Sequence, residues 1–150
     1  MPKTNVAEIL EHAKEFEDML AEYYADISSH TARDGVRMLA DYMSRHRRRI
    51  NEFLEKMDPA EKRRVKRIPL PFDPEVATCD CFKDKEVAED APASEVLDKA
   101  VALDDCLIRL YRQVADEVTD QEAKELFQKL LQAEERDEIR LKRIKAMDYF

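Results

Sequence analysis

Apolar residues recur at steps of three and four along most of this 150-residue chain, which is the spacing of one face of an α-helix. Such faces run over residues 6–27 and 33–57 and occur twice more between residues 94 and 147. The chain has one glycine and no tryptophan, whereas a sheet protein would need more glycine for its turns. The pattern therefore predicts an all-α fold with four long helices.

The connections between these helices predict how they are arranged. The segment 28–32 is short, so the first two helices are expected to be antiparallel neighbours. Asp58 can cap a short extra helix that has Pro59 at its first position. Prolines and a loss of periodicity then mark a crossover. We predict one domain over residues 1–150, with a first hairpin at about 4–57, a crossover at about 58–93 and a second hairpin at about 94–147.

The charge of the chain argues against nucleic acid as a partner. The formal net charge is −8, and duplex binding depends on cationic side chains that contact phosphates. Two basic runs, at 45–49 and 62–67, have glutamates nearby and no interleaved aromatic residues. We therefore predict that both runs form solvated, salt-bridged surfaces.

The hydropathy of the chain predicts no membrane segment. No stretch approaches eighteen consecutive apolar residues, which is the length needed to span a bilayer. The first residues, Met1-Pro2-Lys3-Thr4-Asn5, lack the apolar core of a signal peptide. We therefore expect a cytoplasmic location and no contact with membranes.

The three cysteines do not suggest a disulfide framework. Cys79 and Cys81 lie in the crossover, whereas Cys106 lies on the predicted third helix with no evident route to them. An odd number of cysteines without an export signal makes disulfides improbable. Cys79 and Cys81 could bind a soft metal or respond to redox state, but we expect all three cysteines to be incidental.

Several polar residues interrupt the apolar faces. They are Glu17, His46, Asp104, Glu134 and Asp137. A charged side chain inside a bundle is costly unless it is paired, hydrogen-bonded or bound to a cation. These five donors are therefore predicted to converge near the middle of the bundle, either around a cation or in hydrogen bonds to one another and to nearby tyrosines.

The two halves of the chain also align with each other. A shift of 87 positions places Glu17 on Asp104, and a shift of 91 positions places His46 on Asp137. Apolar positions agree under the same shifts. The agreement of inward polar and apolar positions indicates an internal repeat of one helical hairpin.

The helix lengths, the crossover and the inward donors resemble the rubrerythrin and ferritin-like di-iron family. In that family a glutamate from each of two helices joins a Glu-x-x-His pair from each of the other two. The resemblance implies an antiparallel ferritin-like four-helix bundle of two helical hairpins. It also implies that four residues stand at metal-ligand positions: Glu17, His46, Asp104 and Glu134. The remaining two positions depart, with Met43 in place of a glutamate and Asp137 in place of a histidine.

The resemblance implies a protein that binds iron or manganese and acts as an oxidoreductase of the peroxidase type or in metal handling. Paired Cys-x-x-Cys sequences of a rubredoxin module do not occur in the sequence, so an external electron donor would be needed. The thioether of Met43 is a poor ligand for hard cations, which leaves donors for one divalent metal or a strained pair. The alternative is a non-catalytic helical module for dimerisation or partner binding that has lost its metal site.

A homodimer is also expected, because ferritin-like bundles often pair. Met38 lies within an amphipathic face and is predicted to pack in the core or at an interface. Tyr149 and Phe150 end the chain and are expected to dock on the bundle or on a second copy.

Overall fold

The computed structural model describes residues 4–46, 49–71 and 78–147, apart from the side chains at 78 and 79. These residues form α1 (Val6–His30), α2 (Asp34–Arg45), α3 (Ile50–Glu55), α4 (Pro59–Lys66), α5 (Thr78–Cys81), α6 (Ala93–Glu117) and α7 (Gln121–Met147). Within these ranges the only β-type pairing is one isolated bridge, so the all-α prediction is confirmed. The predicted contacts of Tyr149 and Phe150 lie outside the described residues.

The helices pack as two hairpins. α1 packs along α2 and α6 packs along α7, and α2 also contacts α6 across the bundle. The apolar faces predicted from the sequence are buried in one cluster to which all four of these helices contribute. Tyr24 of α1 and Tyr111 of α6 are both completely buried within it. Burial of each large apolar side chain stabilises the fold by about 1.5–3 kcal/mol, which makes this cluster the main stabilising feature.

α4 begins as the sequence predicts. The Asp58 carboxylate accepts hydrogen bonds from the backbone N–H groups of Ala60 and Glu61, at 3.1 and 3.3 Å, and Pro59 is the first helical residue. These bonds satisfy donors that have no partner within a helix. The chain after α4 then returns to the start of α1, where Val6 donates from its backbone N–H to the Ile68 carbonyl at 2.9 Å.

The second long helix is divided, so the prediction of one continuous helix over 33–57 is wrong. α2 ends at Arg45, and α3 begins only at Ile50. The physical reason lies in α1, where Glu17 offers an inward carboxylate to the backbone N–H groups at the start of α3. The carboxylate of Glu17 thus accepts hydrogen bonds that, in a continuous helix, the backbone carbonyls of the preceding turn would accept.

The expectation that the cysteines are incidental is also wrong for two of them. Cys81, at the end of α5, forms a disulfide with Cys106 of α6, with a Cα–Cα distance of 6.4 Å. The crossover brings α5 against α6, and Phe82 packs its ring 5.1 Å from that of Phe16 on α1. The folded crossover provides the route between the two thiols that the linear sequence does not reveal.

Candidate metal centre

Three acids are buried inside the bundle, each on a different long helix. Glu17 on α1 is 3% exposed, Asp104 on α6 is 0% exposed and Glu134 on α7 is 2% exposed. Asp137, one helical turn beyond Glu134, has a side chain that is 13% exposed. The helical periodicity turns these four residues inward, as the sequence predicts, and buried carboxylates need a cation or hydrogen-bond donors.

Glu17 uses its carboxylate to cap the helix break. The backbone N–H of Arg49 donates to both oxygens of Glu17, at 3.0 Å each, and the N–H of Ile50 donates to Oε1 at 3.1 Å. The first N–H groups of a helix lack partners within it, and their partial positive charge favours a carboxylate. Backbone donors of the first hairpin therefore occupy the carboxylate of Glu17.

Arg49 lies among the acids of the last helix. Its guanidinium forms an ion pair with Asp137 through Nη2, and Nη1 lies 3.8 Å from Oε1 of Glu134. Nη1 also donates to the backbone carbonyl of Ala133 at 3.0 Å. The Arg49 side chain is only 16% exposed, so its charge is held largely away from water. We call Arg49, Glu17, Glu134 and Asp137 the Arg49 cluster.

Arg49 is the residue that sequence reasoning missed. The sequence places it in the basic run 45–49, which is predicted to form a solvated surface, and for Arg49 that prediction is wrong. No local signal singles out Arg49, because its neighbours on the predicted helix lie in different surroundings: His46 is exposed and Ile50 is buried. Arg45, four residues earlier, does lie at the surface and pairs with Asp41.

The structure does not place His46 and Met43 as ligands of a shared metal centre. His46 is exposed after the end of α2, with its ring centroid 4.4 Å from that of Tyr42. Met43 is 3% exposed and packs in the core. A cavity of about 40 Å³ between α2 and α7 is lined by both residues together with Arg49 and Asp137. The structure brings Glu17, Glu134 and Asp137 together with Arg49 but does not bring the His46 ring into the core.

The acid that follows Asp137 has partners of its own. Burial raises the pKa of the Glu138 carboxyl, and the nearby carboxyl of Asp105 on α6 raises it further. The ammonium of Lys142 lies 3.0 Å from Oε1 of Glu138 and acts in the opposite direction. Glu138 is therefore paired with Lys142 of its own helix.

This arrangement does not fit a pair of divalent metal ions. Both oxygens of Glu17 accept backbone hydrogen bonds, and a thioether stands at the Met43 position. The guanidinium of Arg49 would repel a second cation placed between the same acids. Among the described side chains, at residues 4–46, 49–71 and 80–147, no three of the His, Cys, Asp and Glu types are grouped so that they could hold a metal ion.

Comparison with known proteins agrees with the bundle architecture. A ferritin-like diiron-carboxylate protein from Thermotoga maritima has a crystal structure similar to this one, with a TM-score of 0.60 over 97% of each chain and 18% sequence identity. That likeness shows the ferritin-like fold. No curated protein sequence matches the chain. The profile of the family described as Rubrerythrin matches residues 8–145. The chain therefore belongs to the rubrerythrin family.

Proposed function

We propose that this chain is a metal-independent member of its family, a helical binding module rather than an oxidoreductase. The observation that carries this proposal is the use of Glu17 as a cap for α3, because both of its oxygens are occupied by backbone donors. A metal that took these oxygens would leave the N–H groups of Arg49 and Ile50 without acceptors, at a cost of roughly 1–3 kcal/mol for each buried group.

The departures from the family's ligand pattern support the same proposal. Met43 offers no oxygen, and His46 is exposed. Oxygen activation by a di-iron centre needs several carboxylates and imidazoles that face a shared pair of ions. Backbone N–H groups already hold Glu17, and the guanidinium of Arg49 lies beside Glu134 and Asp137.

A second candidate is a protein that binds iron or manganese and acts as an oxidoreductase with an external electron donor, or in metal handling. Its support is family membership together with the buried carboxylates of Glu17, Asp104 and Glu134 on three helices. This candidate requires Arg49 to leave its ion pair and His46 to turn inward. Only this second candidate requires the five predicted donors to act as metal ligands.

The metal content of the purified protein distinguishes the two candidates. We expect wild-type protein, expressed in medium supplied with iron, manganese and zinc, to hold about a tenth of an ion per chain or less by plasma mass spectrometry. A Glu134→Ala/His46→Ala double variant serves as the comparison. Near-stoichiometric iron or manganese in the wild type that disappears in the variant would establish the second candidate instead.

We further propose that the module pairs with a second copy through α2. Met38 is 68% exposed and Tyr42 is 47% exposed, and their spacing of four residues places both on one face of the helix. Large apolar side chains on one face are typical of an interaction surface.

None of the helices in the described ranges is both long and apolar enough to cross a membrane.

Substitution of this face is expected to weaken self-association. Met38→Glu/Tyr42→Glu should raise the dimer dissociation constant by more than about tenfold, because burial of each side chain is worth roughly 1.5–3 kcal/mol. Light scattering after size-exclusion chromatography measures the effect. Ile139→Glu, at a residue of α7 that is 53% exposed, is the matched control and should leave association unchanged. Monomeric wild-type protein, or equal effects of the two variants, would rule out this interface.

A further inference from the structure

We propose that the guanidinium of Arg49 takes the place of the metal cation in this bundle, as a permanent counter-ion for the acids of the last helix. The inference rests on the proposed function, since it explains how a family member remains folded without metal. It also makes a separate claim: Glu134 and Asp137 form an incomplete, latent site for an oxygen-preferring divalent cation, which Arg49 closes.

The position of Arg49 joins parts of the bundle that a metal would otherwise join. Its backbone N–H contacts Glu17 of α1, while its side chain reaches Ala133, Glu134 and Asp137 of α7. Arg49 itself lies at the start of α3, on the first hairpin. One residue therefore connects the first hairpin to the last helix through charge and hydrogen bonds, which is the structural role that a bridging cation performs.

The chemistry of a guanidinium suits this role. It stays charged at all ordinary pH values, and its planar set of N–H donors can serve a carboxylate and a carbonyl at once. Nη2 pairs with Asp137, and Nη1 donates to the Ala133 carbonyl. A metal can be removed by a chelator or competed by protons at its ligands, whereas an arginine side chain cannot be removed. The substitution therefore makes the charge balance independent of metal supply.

Removal of Arg49 should then expose the latent site. Glu134 would lose the guanidinium beside it, and Asp137 would keep only the exposed Arg140, 3.6 Å away, while both acids remain largely buried, which destabilises the folded state. A hard divalent ion such as Mn²⁺ prefers carboxylate oxygens and would restore the balance. A glutamate at position 43 would add the oxygen ligand that the methionine does not provide.

The test compares thermal unfolding with and without manganese chloride. Arg49→Ala should lower Tm by about 8 °C in the presence of a chelator, a moderate loss because the Arg49 side chain keeps some exposure. Mn²⁺ should recover at least half of that loss, and Met43→Glu/Arg49→Ala should bind Mn²⁺ more tightly, as measured by the electron paramagnetic resonance signal of the bound ion. The wild type and the charge-preserving Arg49→Lys should show no response to Mn²⁺.

The matched control is Arg45→Ala, because Arg45 is an exposed arginine of the same basic run. It should change Tm little and show no Mn²⁺ response. If Arg49→Ala does not fold alone, recovery of folded protein on refolding with Mn²⁺ supports the inference, and failure with Mn²⁺ overturns it. A folded Arg49→Ala that ignores Mn²⁺ also overturns it. A wild type that is stabilised by stoichiometric Mn²⁺ overturns the proposed metal-independent function and, with it, the claim that Arg49 closes the site.

Discussion

Glu17→Ala is expected to lower the free energy of unfolding by about 4 kcal/mol, because it removes three hydrogen bonds at the start of α3 and leaves buried backbone donors without an acceptor. Urea denaturation followed by circular dichroism measures this loss. Glu17→Gln keeps the size of the side chain and one carbonyl acceptor, so it should cost roughly half as much. The charge-assisted part of the cap is lost in both variants.

The control for this prediction is Glu22→Ala, at an exposed acid of the same helix. Its effect should stay within about 0.5 kcal/mol, as for other surface substitutions. Amide hydrogen exchange supplies a local test, because the N–H of Ile50 should exchange much faster in Glu17→Ala than in the wild type. Equal stability losses at positions 17 and 22, with unchanged exchange at Ile50, would contradict a capping role.

Loss of the Cys81–Cys106 disulfide is expected to lower the free energy of unfolding by about 3.5 kcal/mol. The two cysteines are 25 residues apart, and release of a loop of this length returns chain entropy to the unfolded state. The loss should appear in Cys81→Ala/Cys106→Ala and, equally, in wild-type protein treated with a thiol reductant. Urea denaturation with and without the reductant gives both values.

Cys79→Ala is the matched control, since it removes the neighbouring cysteine and leaves the disulfide intact. It should keep its response to the reductant, whereas the double variant should have none. Alkylation followed by mass spectrometry counts the free thiols in each protein. The prediction fails if the reductant leaves the unfolding midpoint of the wild type unchanged.

The disulfide also bears on where the protein resides. The sequence predicts a cytoplasmic location, and this stays a prediction. Disulfides persist mainly in oxidising compartments, whereas cytosolic thiols are usually kept reduced. Alkylation of cells before lysis would measure the fraction of Cys81 and Cys106 that is oxidised. If the pair is mostly reduced, the crossover is less constrained in the cell than in this structure.

The helices were predictable because their signals are local. Apolar spacing along α1, α6 and α7 and the scarcity of glycine depend only on neighbours in the chain, and the Asp58-Pro59 start of α4 depends on three or four residues. The inward position of Glu17, Asp104 and Glu134 follows from the same periodicity. The family resemblance also came from these features, and the family match confirms it.

The chemistry of the core was less predictable because it depends on partners that are distant in sequence. The inward acids could be identified from the sequence, but the spacing of residues 45–49 does not indicate which arginine turns inward. Arg49 and Glu134 are 85 residues apart in sequence, and Glu17 lies 32 residues before the backbone that it caps. Such contacts arise only after the hairpins have packed.

An all-α bundle with acids on its inner faces follows from the sequence alone, since helical periodicity is a property of short stretches of chain. Three features depend on how the helices pack: Glu17 caps α3 where the second helix is divided, Arg49 supplies the positive charge beside Glu134 and Asp137, and Cys81 pairs with Cys106. The physical reason is that buried charges and thiols take whatever partner the packed helices bring within reach, and this selection occurs in three dimensions.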